Sequence, residues 1–162
     1  MNVKILTMGG TIDKVYFDAR SSFQVGESNV DRLLKEVKVG IDYQMESLFK
    51  KDSLDLTEAD RQQALAKVRA ESCDRILITH GTDTMIETAR CLQAVTGKTI
   101  VLTGAMQPLL FKHSDAVFNI GFALGVLLSR SPGVYIAMNG GIFLPDEVHK
   151  NREMGMFQKA AG

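Results

Sequence analysis

Residues 75–97 read RILITHGTDTMIETARCLQAVTG, and this stretch decides the fold. Its first five residues, 75–79, are an apolar run of strand length, rich in isoleucine and leucine. His80-Gly81-Thr82-Asp83-Thr84 follow, all small or polar. Met85, Ala89, Leu92 and Val95 then recur at steps of three and four, the spacing of a buried helix face. Thr84 with Glu87 three residues on has the spacing of a capping box, which predicts a helix start near Thr84.

Apolar runs of similar length recur outward from it, at 3–8, 41–49, 99–103 and 134–138. Helical spacing returns in Val117, Ile120, Leu124 and Leu127, and more weakly over 57–71. Parallel strands need long crossovers, so this alternation predicts an α/β domain: a three-layer, doubly wound, mainly parallel sheet with helices on both faces. A chain of 162 residues suits one such domain. The expected extent is 1–157, with 158–162 a frayed tail and no C-terminal domain.

Lysine plus arginine and aspartate plus glutamate balance at 19 each. No positive excess exists to hold nucleic acid or an anionic membrane by counterion release, so a small-molecule partner is expected. Cys73 and Cys91 lack the spacing of a zinc site or disulfide framework, and Met1 leads straight into an apolar run without a secretory pattern. The expectation is a cytoplasmic protein with no cofactor and no metal. The stretch 116–128 is interrupted by Asn119 and falls short of the ~20 residues of a membrane span, so it reads as core.

Ligands of open α/β sheets bind beyond the carboxyl ends of the strands. Those exits are Gly9-Gly10-Thr11-Ile12-Asp13, Asp52-Ser53, His80-Gly81-Thr82-Asp83-Thr84 and Gly104-Ala105-Met106-Gln107-Pro108. Glycines and hydroxyls there let backbone amides and side-chain oxygens approach a small polar substrate. Gly9-Gly10 has neither dinucleotide nor P-loop spacing. On the residues alone, Thr82 and Asp83 read equally as helix caps and as a binding turn, where the helix dipole stabilises an alkoxide or carboxylate. His113-Ser114-Asp115 are adjacent and cannot form a relay, and Ser114 reads as a helix N-cap. His80 and His149 lack metal-ligand spacing and read as structural hydrogen-bonding residues, and the eight methionines as core filling.

Thr7-Met8-Gly9-Gly10-Thr11-Ile12 and Thr79-His80-Gly81-Thr82-Asp83-Thr84 together resemble the two threonine-bearing motifs of bacterial-type L-asparaginases. The likeness continues through Asp52-Ser53, 104–108 and Asp146-Glu147-Val148-His149-Lys150, in the order of that family's N-terminal domain. The resemblance implies an amidohydrolase that converts L-asparagine to L-aspartate and ammonia, with glutaminase side activity. It implies catalytic roles for Thr11 on a mobile loop, with Tyr16 as its proton acceptor, and for Thr82 with Asp83 and Lys150. Gly10, Asp52, Ser53, Gly81, Thr82, Asp83 and Ala105 are implied to bind substrate. In the family the first threonine is usually regarded as the attacking group.

A threonine hydroxyl needs a base within hydrogen-bond reach, and an amine at Lys150 oriented by Asp83 would supply one to Thr82. Burial lowers a lysine pKa and an opposing carboxylate raises it, so the sequence leaves its protonation state open. The family's usual enzyme has a C-terminal domain that reaches a neighbouring subunit's site, and this chain is expected to lack it. Phe143, Leu144, Met154, Met156 and Phe157 are expected to be exposed and to form the interface of a homodimer or homotetramer. Two other readings are kept: an ammonia-releasing subunit of an amidotransferase complex, and a non-catalytic aspartate- or asparagine-binding sensor.

Overall fold

The structure, a computed structural model, describes residues 2–18 and 22–160. Strand β1 (Asn2–Gly9) leads through a 3-10 turn (Thr11–Asp13) into an antiparallel ribbon, β2 (Lys14–Phe17) and β3 (Ser22–Val25). Helix α1 (Val30–Glu36), β4 (Asp42–Lys51), a second 3-10 turn (Ser53–Asp55) and α2 (Glu58–Ala70) follow. Then come β5 (Arg75–Thr79), α3 (Met85–Leu92), β6 (Thr99–Thr103), α4 (Ala116–Ser129), β7 (Gly133–Met138) and β8 (Gly141–Phe143). A second antiparallel ribbon, β9 (Val148–Asn151) with β10 (Met156–Lys159), completes the described chain.

The central sheet has the order β4-β1-β5-β6-β7-β8, parallel except for β8, which runs antiparallel to β7. The alternation of side chains along each strand divides them between two cores. Leu6, Met8, Ile76, Ile78, Ile100, Leu102, Ile136 and Met138 pack on one face with residues of α2 and α3. Val3, Ile5, Leu77, Val101 and Ala137 pack on the other with residues of α1 and α4. This is the doubly wound α/β arrangement that the sequence predicts. The chain runs from β1 outward to β4 and then crosses back to β5, so the order in which strands are added reverses between β1 and β5. Such a switch point is where ligand crevices open.

At this point the strand exits are pressed together. A Cβ on Gly10 (φ +88) would lie 2.2 Å from Gly81 Cα, and one on Gly81 would lie 2.5 Å from Ser53 Cβ. A Cβ on Gly104 would lie 2.3 Å from His80 O, and Gly10 N donates to Lys51 O at 2.9 Å. Four exits thus meet with no space for a side chain on Gly10, Gly81 or Gly104.

Several expectations are corrected. Thr84 is the N-cap of α3, but its hydroxyl makes no cap bond and instead donates to Ser53 O at 2.7 Å. The reciprocal capping box forms at α2, between Thr57 and Asp60. Asp115, not Ser114, is the N-cap of α4, and Ser114 Oγ accepts from Ala116 N at 3.0 Å. Gln158 and Lys159, expected in the tail, are paired in β10, and Ala160 N donates to Glu147 O at 2.9 Å; residues 161 and 162 lie outside the described residues. Phe157 is buried at 2% exposure, and Phe143 and Met156 are half-buried, which leaves Leu144 and Met154 as the exposed members of that group. Among the described residues no helix is long and apolar enough to cross a membrane.

The crowding at Gly10 is separable from its backbone conformation. Gly97 (φ +77) has nothing within 4 Å of an added Cβ, so Gly97→Ala carries only the left-handed penalty of about 1–2 kcal/mol. Gly10→Ala must also force the backbones of Gly10 and Gly81 apart, and it is expected to cost about 3–5 kcal/mol. Urea unfolding midpoints of the two variants check the ranking.

Candidate active site

Thr82 leaves the carboxyl end of β5 one residue after the glycine that touches Gly10, and Thr11 follows Gly10 directly. The two threonine loops therefore adjoin across the switch point. Thr82 is buried at 6% exposure. Lys150 reaches it from β9 across 68 positions of sequence: Nζ donates to Thr82 Oγ1 at 2.8 Å and to Asp83 Oδ1 at 2.8 Å. Arg152 Nη2 stands 3.8 Å from the same Asp83 oxygen. The lysine side chain is 15% exposed and the aspartate 31%, so the pair is partly buried. Thr82, Asp83 and Lys150 are thus joined into one hydrogen-bonded group.

The ribbon that presents Lys150 is anchored by apolar burial. Val148 and Phe157 enter the same core as Ile78, Leu102 and Met138. Ser53 is buried against Gly81, and its carbonyl is held by Thr84 Oγ1. Asp52 caps the turn that follows it, accepting from Leu54 N at 3.2 Å, and pairs with Lys14 Nζ at 2.9 Å. Partial burial pushes its carboxyl up, but Lys14 and the Leu54 N–H outweigh this and leave it below the ordinary value. Asp52 is thereby engaged in local structure. Tyr16 lies on β2 at 53% exposure, its ring 5.3 Å from that of Phe23, and among the described residues no hydrogen bond joins it to Thr11. Ala105 is buried, between Gly104, which abuts Thr82, and Met106, whose Sδ lies 3.8 Å from Thr82 Oγ1.

His80 is fully buried. Its Nδ1 lies 2.7 Å from Gly81 O, which can only accept, so Nδ1 carries the proton and Nε2 accepts from Thr88 Oγ1 at 2.8 Å. This neutral tautomer braces the carbonyl of the Gly81 turn. His80 therefore has a structural role, as its lack of metal-ligand spacing implies; His149 is exposed on β9.

Sequence reasoning missed the groups that hold the fourth exit. Asp115 accepts from Met106 N at 2.9 Å and Gln107 N at 3.0 Å, and Asn119 Nδ2 donates to Gly104 O at 3.0 Å. The signal was a carboxylate opening an apolar helix with an amide four residues later, on the same face.

These features define a class: a doubly wound domain that sets a threonine, an amine and a carboxylate at the switch point of its sheet. The chain belongs to the asparaginase family, whose N-terminal domain model, "Asparaginase, N-terminal", matches residues 2–159. It is 32% identical over 160 residues to a probable periplasmic L-asparaginase of Haemophilus influenzae, covering 92% of this chain and 46% of that protein. It is 32% identical over 167 residues to a glutaminase-asparaginase of Acinetobacter glutaminasificans, covering 92% and 49%. The thermostable L-asparaginase from Thermococcus kodakarensis superposes with a TM-score of 0.82 at 27% identity, over 98% of this chain and 51% of that one. The chain spans about half the length of the curated relatives it matches.

Two buried groups beside the site titrate in opposite senses. Burial pushes the Asp13 carboxyl from 3.8 up to about 6, opposed by the Ser28 hydroxyl and aided by Glu27; among the described residues its Oδ1 has no hydrogen-bond partner. Its folded state holds the proton more tightly, so stability present below pH 3.8 is lost as pH rises through about 6. Burial pushes His80 from 6.5 down to about 4, against the pull of the Gly81 carbonyl, so stability present above pH 6.5 is lost as pH falls toward 4. The two slopes oppose each other between pH 4 and 6. Asp13→Asn removes one of them. The variant is expected to exceed the wild type at pH 7 by on the order of 2–3 kcal/mol and to lose stability more steeply on acidification, read from urea titrations across pH 4–7.

Proposed function

We propose that this domain carries a hydrolytic site for the side-chain amide of a small amino acid, L-asparagine foremost, with L-glutamine a poorer substrate. The observation that carries this reading is the position of Lys150 Nζ, 2.8 Å from both Thr82 Oγ1 and Asp83 Oδ1. As a neutral amine, Lys150 takes the hydroxyl proton while Thr82 Oγ1 forms a bond to the amide carbon, and the resulting ammonium is stabilised by Asp83. The carbonyl π electrons become an oxyanion, for which the backbone N–H groups of the 81–84 turn would serve as donors. Collapse of this intermediate breaks the C–N bond, and the proton passes from Lys150 to the departing nitrogen to give ammonia. Water then cleaves the threonine ester and releases the acid. Thr11, on the adjoining loop, is the second hydroxyl of the cleft, and Ser53 and Gly81 line the side where the substrate's amino-acid end is held.

The names of the relatives support this substrate class, since they are asparaginases and glutaminase-asparaginases. The free thiols Cys73 and Cys91 fit a cytoplasmic location. We further assign a homodimeric or larger assembly, supported by the exposed apolar side chains Leu144, Met154, Val117 and Phe118.

Ammonia release from L-asparagine, L-glutamine and D-asparagine by the purified chain tests the reading. Thr82→Val and Lys150→Met are expected to lower turnover by about 10²–10⁴-fold with the fold intact. Loss on Thr11→Val with Thr82→Val nearly unaffected would transfer the attacking role to Thr11. A wild type that releases no ammonia while aspartate raises its melting temperature would replace the enzyme by a sensor.

A further inference from the structure

Lys150 acts on Thr82 only if its ribbon stands at the right height above the sheet, and a proton transfer tolerates little error. Donor and acceptor must stay within about 2.6–3.2 Å, and a displacement of about 1 Å far from the chemistry costs about 10²-fold in rate. The burial of Val148 and Phe157 draws the ribbon onto the core, but apolar contact has no direction and does not fix where along the strand it sits. A directional contact does. Phe157 N donates to Asn139 Oδ1 at 2.8 Å, and Phe157 is the cross-strand partner of Lys150.

Asn139 is itself pinned. Its own N–H donates to Asn119 Oδ1 at 3.3 Å, and Asn119 is buried within α4. The amide of Asn119 donates in turn to Gly104 O and to Asp115 Oδ2, each at 3.0 Å, and Asp115 holds Met106 N and Gln107 N. One hydrogen-bonded chain thus ties both flanks of Thr82, the 104–107 loop and the Lys150 ribbon, to the same helix. Asn139 also sits at φ +54, in the left-handed region that glycine adopts most freely. Gly140 and Gly141 are its neighbours, so backbone conformation alone would be met by a third glycine; the side chain is what glycine would not supply.

We propose that Asn139 is a positioning residue for Lys150: its Oδ1 holds the β9–β10 ribbon at Phe157 and thereby keeps the lysine amine on Thr82. The inference rests on the proposed role of Lys150. Its test therefore has one arm that does not depend on turnover.

Asn139→Gly removes the acceptor and suits the backbone; Asn139→Asp keeps an acceptor at the same place. In the first arm, the purified chains are treated with trace acetic anhydride, and acetylation of Lys150 relative to the exposed Lys38 is read by mass spectrometry. Lys150 is expected to label about threefold or more faster in Asn139→Gly and as in wild type in Asn139→Asp. In the second arm, ammonia release is expected to show kcat lowered about tenfold in Asn139→Gly with KM within about twofold, and largely restored in Asn139→Asp. If Asn139→Gly does not fold, Asn139→Gln, which carries the amide one methylene farther, takes its place with the same expectation. Unchanged labelling of Lys150 in a folded variant that lacks the acceptor overturns the proposal. A wild type that releases no ammonia sinks the hydrolase reading, while the labelling arm still decides the role of Asn139.

Discussion

The contact on which the rest depends is the meeting of Gly10 and Gly81, two backbones so close that no carbon atom fits between them. Ser53 lies against the other side of Gly81, and Gly104 against His80 O. Because each of these residues lies within two positions of a strand end, the separation of four loops is set by the hydrogen-bond spacing of the sheet beneath them. Flexible loop conformation has little say. Glycine here provides proximity: the loops that carry Thr11 and Thr82 adjoin because the residues before them have no side chains.

The strand exits 9–13, 52–53, 80–84 and 104–108 present hydroxyls and carboxylates but no amine. The amine arrives from elsewhere. Lys150 stands on a two-stranded ribbon outside the main sheet, and its amine donates to Asp83 in the turn into α3. Holding a lysine at 15% exposure is unfavourable unless it is paired and hydrogen-bonded, and Thr82 and Asp83 together satisfy it. The same arrangement orients the amine toward the hydroxyl it is proposed to activate. Stability and the proposed chemistry draw here on the same two contacts.

How far the sequence shows this depends on what each residue faces. Strands β5 and β6 are legible to the residue, because they are buried on both sides and bounded by sharply polar turns. Thr82 and Asp83 are legible as candidates since they follow such a strand. Ribbon β9–β10 is not: in VHKN and MFQK only Val148 and Phe157 are buried, too few to mark a strand alternation. The residues that hold the loops are equally hidden. Asn119 reads as an interruption of an apolar helix, and nothing local shows that its amide accepts from Asn139 N or that the Asn139 amide accepts from Phe157 N. Thr84 and Glu87 have the spacing of a capping box, but a carbonyl 31 positions away claims the threonine hydroxyl. Tertiary partners overrode the local pattern there.

Lys150 lies 68 positions beyond Thr82, and its ribbon packs against strands made earlier. Contacts of such long range close late in folding, because the loop entropy must be met before they are rewarded. A chain that has already collapsed its parallel sheet would still leave the Thr82 hydroxyl without its lysine partner. A Lys150–Thr82 hydrogen bond therefore reports on more than the central layer: it requires that the outlying ribbon has docked as well.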